Sequence, residues 1–255
     1  MFNETYSIIL AILAAGTAGL VGAFALMKKT ILAGDVMSHV AIPGLGLAII
    51  FHFNPLIGGA LTLFIGSLII SQLERKTTIS SEAAIGVIFA SSVALGALLI
   101  NSKEELIDAL FGGFGNLSGG EFAFGIAASV FIVVALWVLR NKLIISFFSG
   151  ELATATGISI GWLNFWFLLL FSLAILSGLR FLGALLAGAL IIVPASAARQ
   201  LTHSLGSFLL CSAFLSVLSM AIGLIISRNY GIELGPTVVV VAAAIFALSL
   251  FKTKN

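Results

Sequence analysis

The hydrophobic pattern of this chain is one of long apolar runs broken by short polar clusters. Nine runs come close to the length of about 20 residues that crosses a bilayer as a helix. They lie at approximately 6–27, 31–51, 55–73, 83–100, 122–139, 162–179, 181–198, 206–227 and 234–251. The pattern predicts an all-α polytopic membrane protein with about nine transmembrane helices, eight being the alternative count. The breaks are narrow. Lys28-Lys29-Thr30 joins the first two runs, and little more than Arg180 separates the sixth from the seventh, so a tight hairpin is expected there. No soluble domain fits between the runs, and residues 1–255 read as a single transmembrane domain.

Composition agrees. Of 255 residues, 60% are hydrophobic and 9% charged, against about 25% charged in soluble domains. Such a chain cannot cover a water-facing surface. A net charge of +2 gives no reason to expect a nucleic-acid partner. Met1 to Tyr6 lack the basic stretch of a cleavable signal, so the first run is expected to be retained. Basic residues then set the orientation. With the N-terminus outside, the inner segments hold Lys28, Lys29, Arg75, Lys76, Arg140, Lys142, Arg199, Lys252 and Lys254, and the outer ones hold Lys103, Arg180 and Arg228. This asymmetry favours an odd number of spans and a cytoplasmic C-terminus.

Candidate chemistry concentrates at 34–46, Gly-Asp-Val-Met-Ser-His-Val-Ala-Ile-Pro-Gly-Leu-Gly. Asp35 and His39 are four apart, hence on one face of a helix and about 6 Å apart along its axis. A carboxylate oxygen and an imidazole nitrogen so placed can meet one small cation, and an ionisable pair inside a membrane span is a functional signal. The alternative is that Asp35 caps the helix and His39 bonds a neighbouring carbonyl. Without a thiolate the pair suits Mn, Fe or Zn rather than Cu(I). Binding requires a neutral imidazole, so acid should oppose it. Pro43 removes a backbone donor, while Gly44 and Gly46 allow bending or close approach. Pro194 withdraws the helical donor from the Leu190 carbonyl and predicts a kink near the inner end of its span. Gly183, Ala184, Ala187 and Gly188 permit close helix packing there.

Other features are quieter. No phosphate-cradling G-x-x-x-x-G-K-[ST] is present, and no nucleophile-and-base set suggests hydrolysis. His52 and His203 fall at span ends or in a connection, as interfacial residues do. The lone Cys211 sits in an apolar run and reads as a small hydrophobe. The outer segment 101–121 carries Glu104, Glu105, Asp108 and Glu121 around a Gly-rich core, too short to span, and reads as a solvated loop, with an interfacial or re-entrant piece as the alternative. The inner segment 140–161 is the longest cytoplasmic connection. There Ser149 followed by Glu151 resembles a helix start and Gly157 a stop. The short helix expected over 148–157, within a segment spanning 146–158, would expose Phe147, Phe148 and Leu152 unless they enter a membrane or another protein.

Taken together, these stretches resemble a known family. Gly34-Asp35-Val36-Met37-Ser38-His39 through Pro43-Gly44 is similar to the signature G-D-x-x-S-H-x-x-x-P-G of the membrane permeases of bacterial zinc, manganese and iron ABC importers, the ABC-3 family. Ser81-Glu82-Ala83-Ala84-Ile85-Gly86-Val87-Ile88-Phe89 looks like its fourth-span opening, and Leu110-Phe111-Gly112 like its outer-loop motif, with Gly113 where Asn or Asp is frequent. Phe148-Ser149-Gly150-Glu151-Leu152-Ala153 through Gly157 resembles its cytoplasmic F-D-x-E-x-A-x-x-x-G, with Ser149 in place of Asp. Gly183-Ala184-Leu185-Leu186 and Leu190-Ile191-Ile192-Val193-Pro194-Ala195 through Arg199 resemble its late motif.

The resemblance implies a multi-pass homodimeric permease in the bacterial cytoplasmic membrane, surrounded by lipid. A separate cytoplasmic ABC ATPase would use ATP, and an extracytoplasmic metal-binding solute-binding protein would deliver the ion. The chain itself would be no enzyme and would hold no resident cofactor. Asp35 and His39 would be way-stations for a divalent Mn, Zn or Fe ion. Phe148, Glu151, Leu152, Ala153 and Gly157 would form the helix coupled to the ATPase. The rival reading is an ATP-independent secondary transporter or channel, which calls for a relay of several intramembrane acids; here only Asp35 is offered firmly.

Overall fold

The computed structural model describes residues 2–29, 31–76, 81–100 and 118–251, leaving out the side chains of 2–3, 31–35, 74–76, 81–85, 180–182 and 184–186. Among the described residues nine helices follow one another: α1 (Phe2–Lys28), α2 (Ile31–Ile50), α3 (Pro55–Lys76), α4 (Ser81–Leu99), α5 (Gly119–Phe148), α6 (Gly150–Ala155), α7 (Ile160–Leu201), α8 (Leu205–Tyr230) and α9 (Leu234–Leu250). Local chemistry sets several boundaries. Asn54 accepts from the Leu56 N–H at 2.8 Å and Pro55 occupies the first turn, where its missing donor costs nothing. Ser118 and Glu121 form a reciprocal capping box at the start of α5, which moves Glu121 from the outer loop into a helix. Gly231, at φ 65°, closes α8. The remainder of the expected outer loop, Asn101 to Leu117, lies outside the described residues.

Helix α7 resolves the sixth and seventh runs. Its trace is interrupted at Gly183, with φ 69° and ψ 174°, a conformation essentially confined to glycine. A Cβ added at Gly178 would lie 3.9 Å from the Ala187 Cβ, whereas nine residues of straight helix span about 13.5 Å. The chain therefore doubles back into the expected hairpin. Its turn lies at Gly183 rather than Arg180, because the turn needs torsions that an arginine does not adopt.

Both limbs of α7 sit at the centre of the bundle, against α1, α2, α3, α5, α8 and α9. The core is continuous from Leu10 and Phe24 of α1 through Met37 of α2 and Leu63 of α3 to Phe167, Phe171 and Ile175 of α7. A smaller cluster joins Ala23, Ala197, Ala198 and Phe208, with half-buried Cys211 at its margin. Among the described residues, polar side chains inside the bundle are mostly serines, several of which return a hydrogen bond to their own helix, and some cross between helices. Ser67 of α3 meets Ser172 of α7 at 2.8 Å, and Ser212 of α8 donates to the Gly19 carbonyl of α1 at 2.6 Å.

Contacts define two ends. At one, Tyr6 stacks on Phe122 at 4.5 Å and Glu4 approaches Arg228 at 3.6 Å. At the other, the Lys28 ammonium lies 5.7 Å from the Phe167 ring centre and Phe147 packs edge-on against the same ring. Among the described residues, five helical segments, Glu4–Lys28, Pro55–Leu73, Gly119–Phe148, Ile160–Leu179 and Leu205–Tyr230, are long and apolar enough to cross a membrane. Their outer faces carry large apolar side chains such as Trp137, Val138, Leu210 and Phe214, the surface a bilayer covers.

Candidate functional site

Helix α2 carries the Asp35 to Gly44 signature within one uninterrupted helix. Asp35 and His39 share a face by backbone register; the Asp35 side chain lies outside the described residues. His39 is buried, at 9% exposure, beside fully buried Ser38. Its ring stands edge-on to Phe89 of α4, centroids 4.8 Å apart. Helix α4 runs parallel to α2, because Gly96 faces Ile42 and Gly46 faces Leu99 further along the same contact. Phe89 therefore lies over the imidazole as a fixed apolar wall.

The rest of the signature has separate work. Pro43 sits inside α2 and has no N–H for the carbonyl four residues earlier, which belongs to His39. Gly44 lets α3 in: a Cβ there would run into the Gly58 carbonyl and the Thr62 hydroxyl, and a Cβ at Gly58 would strike the Gly44 carbonyl in return. At Gly46 an added Cβ would lie 2.7 Å from the Leu99 Cβ. Of the two uses expected for these glycines, close approach is the one the packing displays. Pro194, in the second limb of α7, likewise lies within helix, and the non-helical residue of that element is Gly183. Among the described residues no three His, Cys, Asp or Glu side chains gather closely enough to hold a metal ion. His52, at φ 55°, and His203 are exposed in the α2–α3 and α7–α8 connections.

The second candidate region is α6. Ser149 ends α5 by donating its N–H to the Ile145 carbonyl at 2.9 Å, and begins α6 by accepting from the Leu152 N–H at 3.2 Å. One residue therefore breaks the chain into two helices. The far end is a Schellman closure: the Ile158 N–H reaches the Ala153 carbonyl at 2.8 Å, the Gly157 N–H reaches that of Thr154 at 3.0 Å, and Gly157 takes φ 76°. Both ends are locked by local bonds, so this short helix is a rigid unit. Ala153 is its buried anchor, while Phe148 and Leu152 stay exposed at 76% and 54%. Phe147 departs from the expected exposure, since it packs on Phe167 at 5.6 Å.

The whole of this arrangement has counterparts among known proteins. A model of the ABC 3 transport family matches residues 4–253. The chain belongs to the ABC 3 transport family. It is 29% identical over 248 residues to the manganese import system permease protein ScaB of Streptococcus gordonii, covering 96% of this chain and 89% of that one. It is 31% identical over 238 residues to the high-affinity zinc uptake system membrane protein ZnuB of Haemophilus influenzae, covering 92% and 91%. Among solved structures, PsaBC from Streptococcus pneumoniae in complex with Fab superposes with a TM-score of 0.88 at 27% identity, covering 99% of this chain and 92% of that one.

Sequence reasoning did not single out Phe89, Gly58 or Phe167. Phe89 ends the stretch that resembles the family's fourth-span opening, and nothing in that stretch marks it as a partner of His39. The Gly58-Gly59 pair carries a small-residue packing signal, but nothing in its composition names Gly44 as its partner. Phe167, one of several phenylalanines in an apolar run, carries no signal that separates it from its neighbours.

Proposed function

We propose that this chain is the transmembrane subunit of an ABC importer that carries manganese or zinc into the cell, with ATP hydrolysed by a separate cytoplasmic subunit. The observation that carries the reading is the family match over nearly the whole length, with the signature histidine buried on α2 and a doubly capped helix α6 presenting Phe148 and Leu152. Relatives named as permeases of manganese and zinc uptake systems supply the cargo class.

In this reading residues 1–255 form one transmembrane domain that spans the bacterial cytoplasmic membrane nine times, with the N-terminus outside. The pairing of Glu4 with Arg228 supports it, since both are assigned to the outer side, and so does that of Lys28 with Phe167, which lies near the inner end of its span. Two copies associate, an extracytoplasmic binding protein delivers the ion, and Asp35 and His39 pass it inward. Their site must be weak, because an ion held tightly is not released; two ligands per copy meet that requirement. Segment 146–158 is the coupling segment, with Phe148, Glu151 and Leu152 towards the ATPase, Ala153 anchoring the helix and Gly157 ending it. Rocking of the two copies then exposes the site to either side in turn.

Radiolabelled manganese and zinc uptake by cells carrying Asp35→Asn or His39→Gln tests the site. Asp35 is the fifth residue of α2 rather than its cap, and Asn keeps its size without its charge, so a carboxylate with no part in ion passage predicts near-normal uptake. A way-station predicts collapse of uptake with normal expression and normal recovery of the ATPase. Normal uptake by both variants removes Asp35 and His39 from the pathway.

A further inference from the structure

A cleft of about 590 Å³ lies where the inner half of α5 diverges from the start of α7, and residues 156–159, the strap after α6, form its end wall. Its volume is within the range of ligand clefts, about 300–1,000 Å³. Its sides are apolar, formed by Phe131, Val134 and Val138 on α5 and by Leu163 on α7. Two of the chain's three tryptophans, Trp162 and Trp166, line it, and they pack edge-on to each other at 5.7 Å. Lys142 lines it as well, and no carboxylate does. The third tryptophan, Trp137 of α5, is exposed and outside the cleft lining, and the Arg140 guanidinium lies 5.3 Å from its ring centre. Tryptophans and basic residues gathered at one level mark a membrane–water boundary.

We infer that this cleft is a binding site for an anionic phospholipid, with an acyl chain along the α5–α7 walls and the headgroup phosphate at Lys142. Three observations select this occupant. The walls are apolar, the one charged side chain is a cation at the boundary end, and indole rings border it as they do the headgroup level. A soluble anion gains nothing from the apolar walls, and an apolar protein helix gains nothing from the lysine. The lipid would touch the strap that fixes α6 to α7, so the charge of the surrounding lipid would bear on the coupling segment. Assigning the site to the cytoplasmic leaflet rests on the proposed orientation; the binding itself does not.

The test uses the full chain with Trp137→Phe, which leaves Trp162 and Trp166 as the only tryptophans. The protein is reconstituted into phosphatidylcholine bilayers containing a small fraction of either brominated phosphatidylglycerol or brominated phosphatidylcholine, and tryptophan quenching is measured. One basic side chain at a lipid surface is expected to favour the anionic lipid about fivefold. Adding Lys142→Gln should abolish that preference while leaving quenching by brominated phosphatidylcholine unchanged. Equal quenching by the two lipids, or a preference that survives Lys142→Gln, overturns the proposal. Absence of quenching by either lipid also overturns it and indicates that protein fills the cleft. No outcome depends on metal uptake or ATP hydrolysis, so a failure here is distinct from a failure of the importer reading.

Discussion

Replacing Gly44 with alanine adds one methyl group at the closest crossing between α2 and α3. The added Cβ would lie 2.5 Å from the Gly58 carbonyl carbon, with the carbonyl oxygen nearer still, and ordinary contact begins at 3.4 Å. The two backbones must part by roughly 1 Å, since the Gly58 carbonyl is main chain and cannot turn aside as the Thr62 hydroxyl can, and an overpacked interior typically costs about 1–3 kcal/mol. Helix propensity acts the other way, because alanine in place of an interior glycine gains up to about 1 kcal/mol. The net expectation is a loss of up to about 2 kcal/mol, with α2 displaced against α3 and His39 displaced relative to Phe89. Gly86, inside α4, is the control, since a Cβ there meets nothing within 4 Å and only the propensity gain remains. Thermal unfolding of the purified permease should therefore give a lower midpoint for Gly44→Ala and an equal or higher one for Gly86→Ala, and metal uptake should fall only in the first. Equal midpoints and equal uptake for the two variants would refute the argument that Gly44 serves close packing.

Three further changes probe other links. Ser149→Ala removes the acceptor for the Leu152 N–H and should cost about 1 kcal/mol of local helix stability, read as faster amide exchange across 150–155 and weaker co-purification of the ATPase, whereas Ser149→Asp keeps the cap and should restore both. Ser67→Ala deletes one hydroxyl of the buried α3–α7 pair and should lower stability by about 0.6 kcal/mol, the average for such bonds between membrane helices, measured by unfolding in mixed micelles. In a Cys211→Ser background, an impermeant thiol reagent applied outside intact cells should label cysteine at Tyr230 but not at Phe251; labelling of both would mean that one span does not cross.

The sequence carried the local information. Charge scarcity and the lengths of the apolar runs dictated a membrane bundle, because unpaired polar backbone cannot be left in lipid. Ser149, Glu151 and Gly157 announced α6, since a cap acts on N–H groups two or three residues away and a glycine stop on carbonyls as near. The Asp35 and His39 spacing needed nothing beyond helical register. The hairpin between the sixth and seventh runs was legible in its existence, from the brevity of the gap, but its corner was not. Arg180 drew attention by its charge, whereas the turn depends on torsions that Gly183 alone in that stretch adopts.

Contacts between distant parts of the chain belonged to the tertiary structure. That Phe89 walls His39, that Gly58 receives Gly44, that Ser67 meets Ser172 and that Phe147 turns inward onto Phe167 all depend on how helices cross. In a chain that is apolar almost everywhere, hydrophobic periodicity fades, because lipid-facing and core-facing positions draw on the same residues. The sequence by itself therefore determined which long segments are helices and where the short helix α6 begins and ends. Only the packed structure decided which faces meet, because that choice is made by the fit of small residues against particular backbones rather than by polarity.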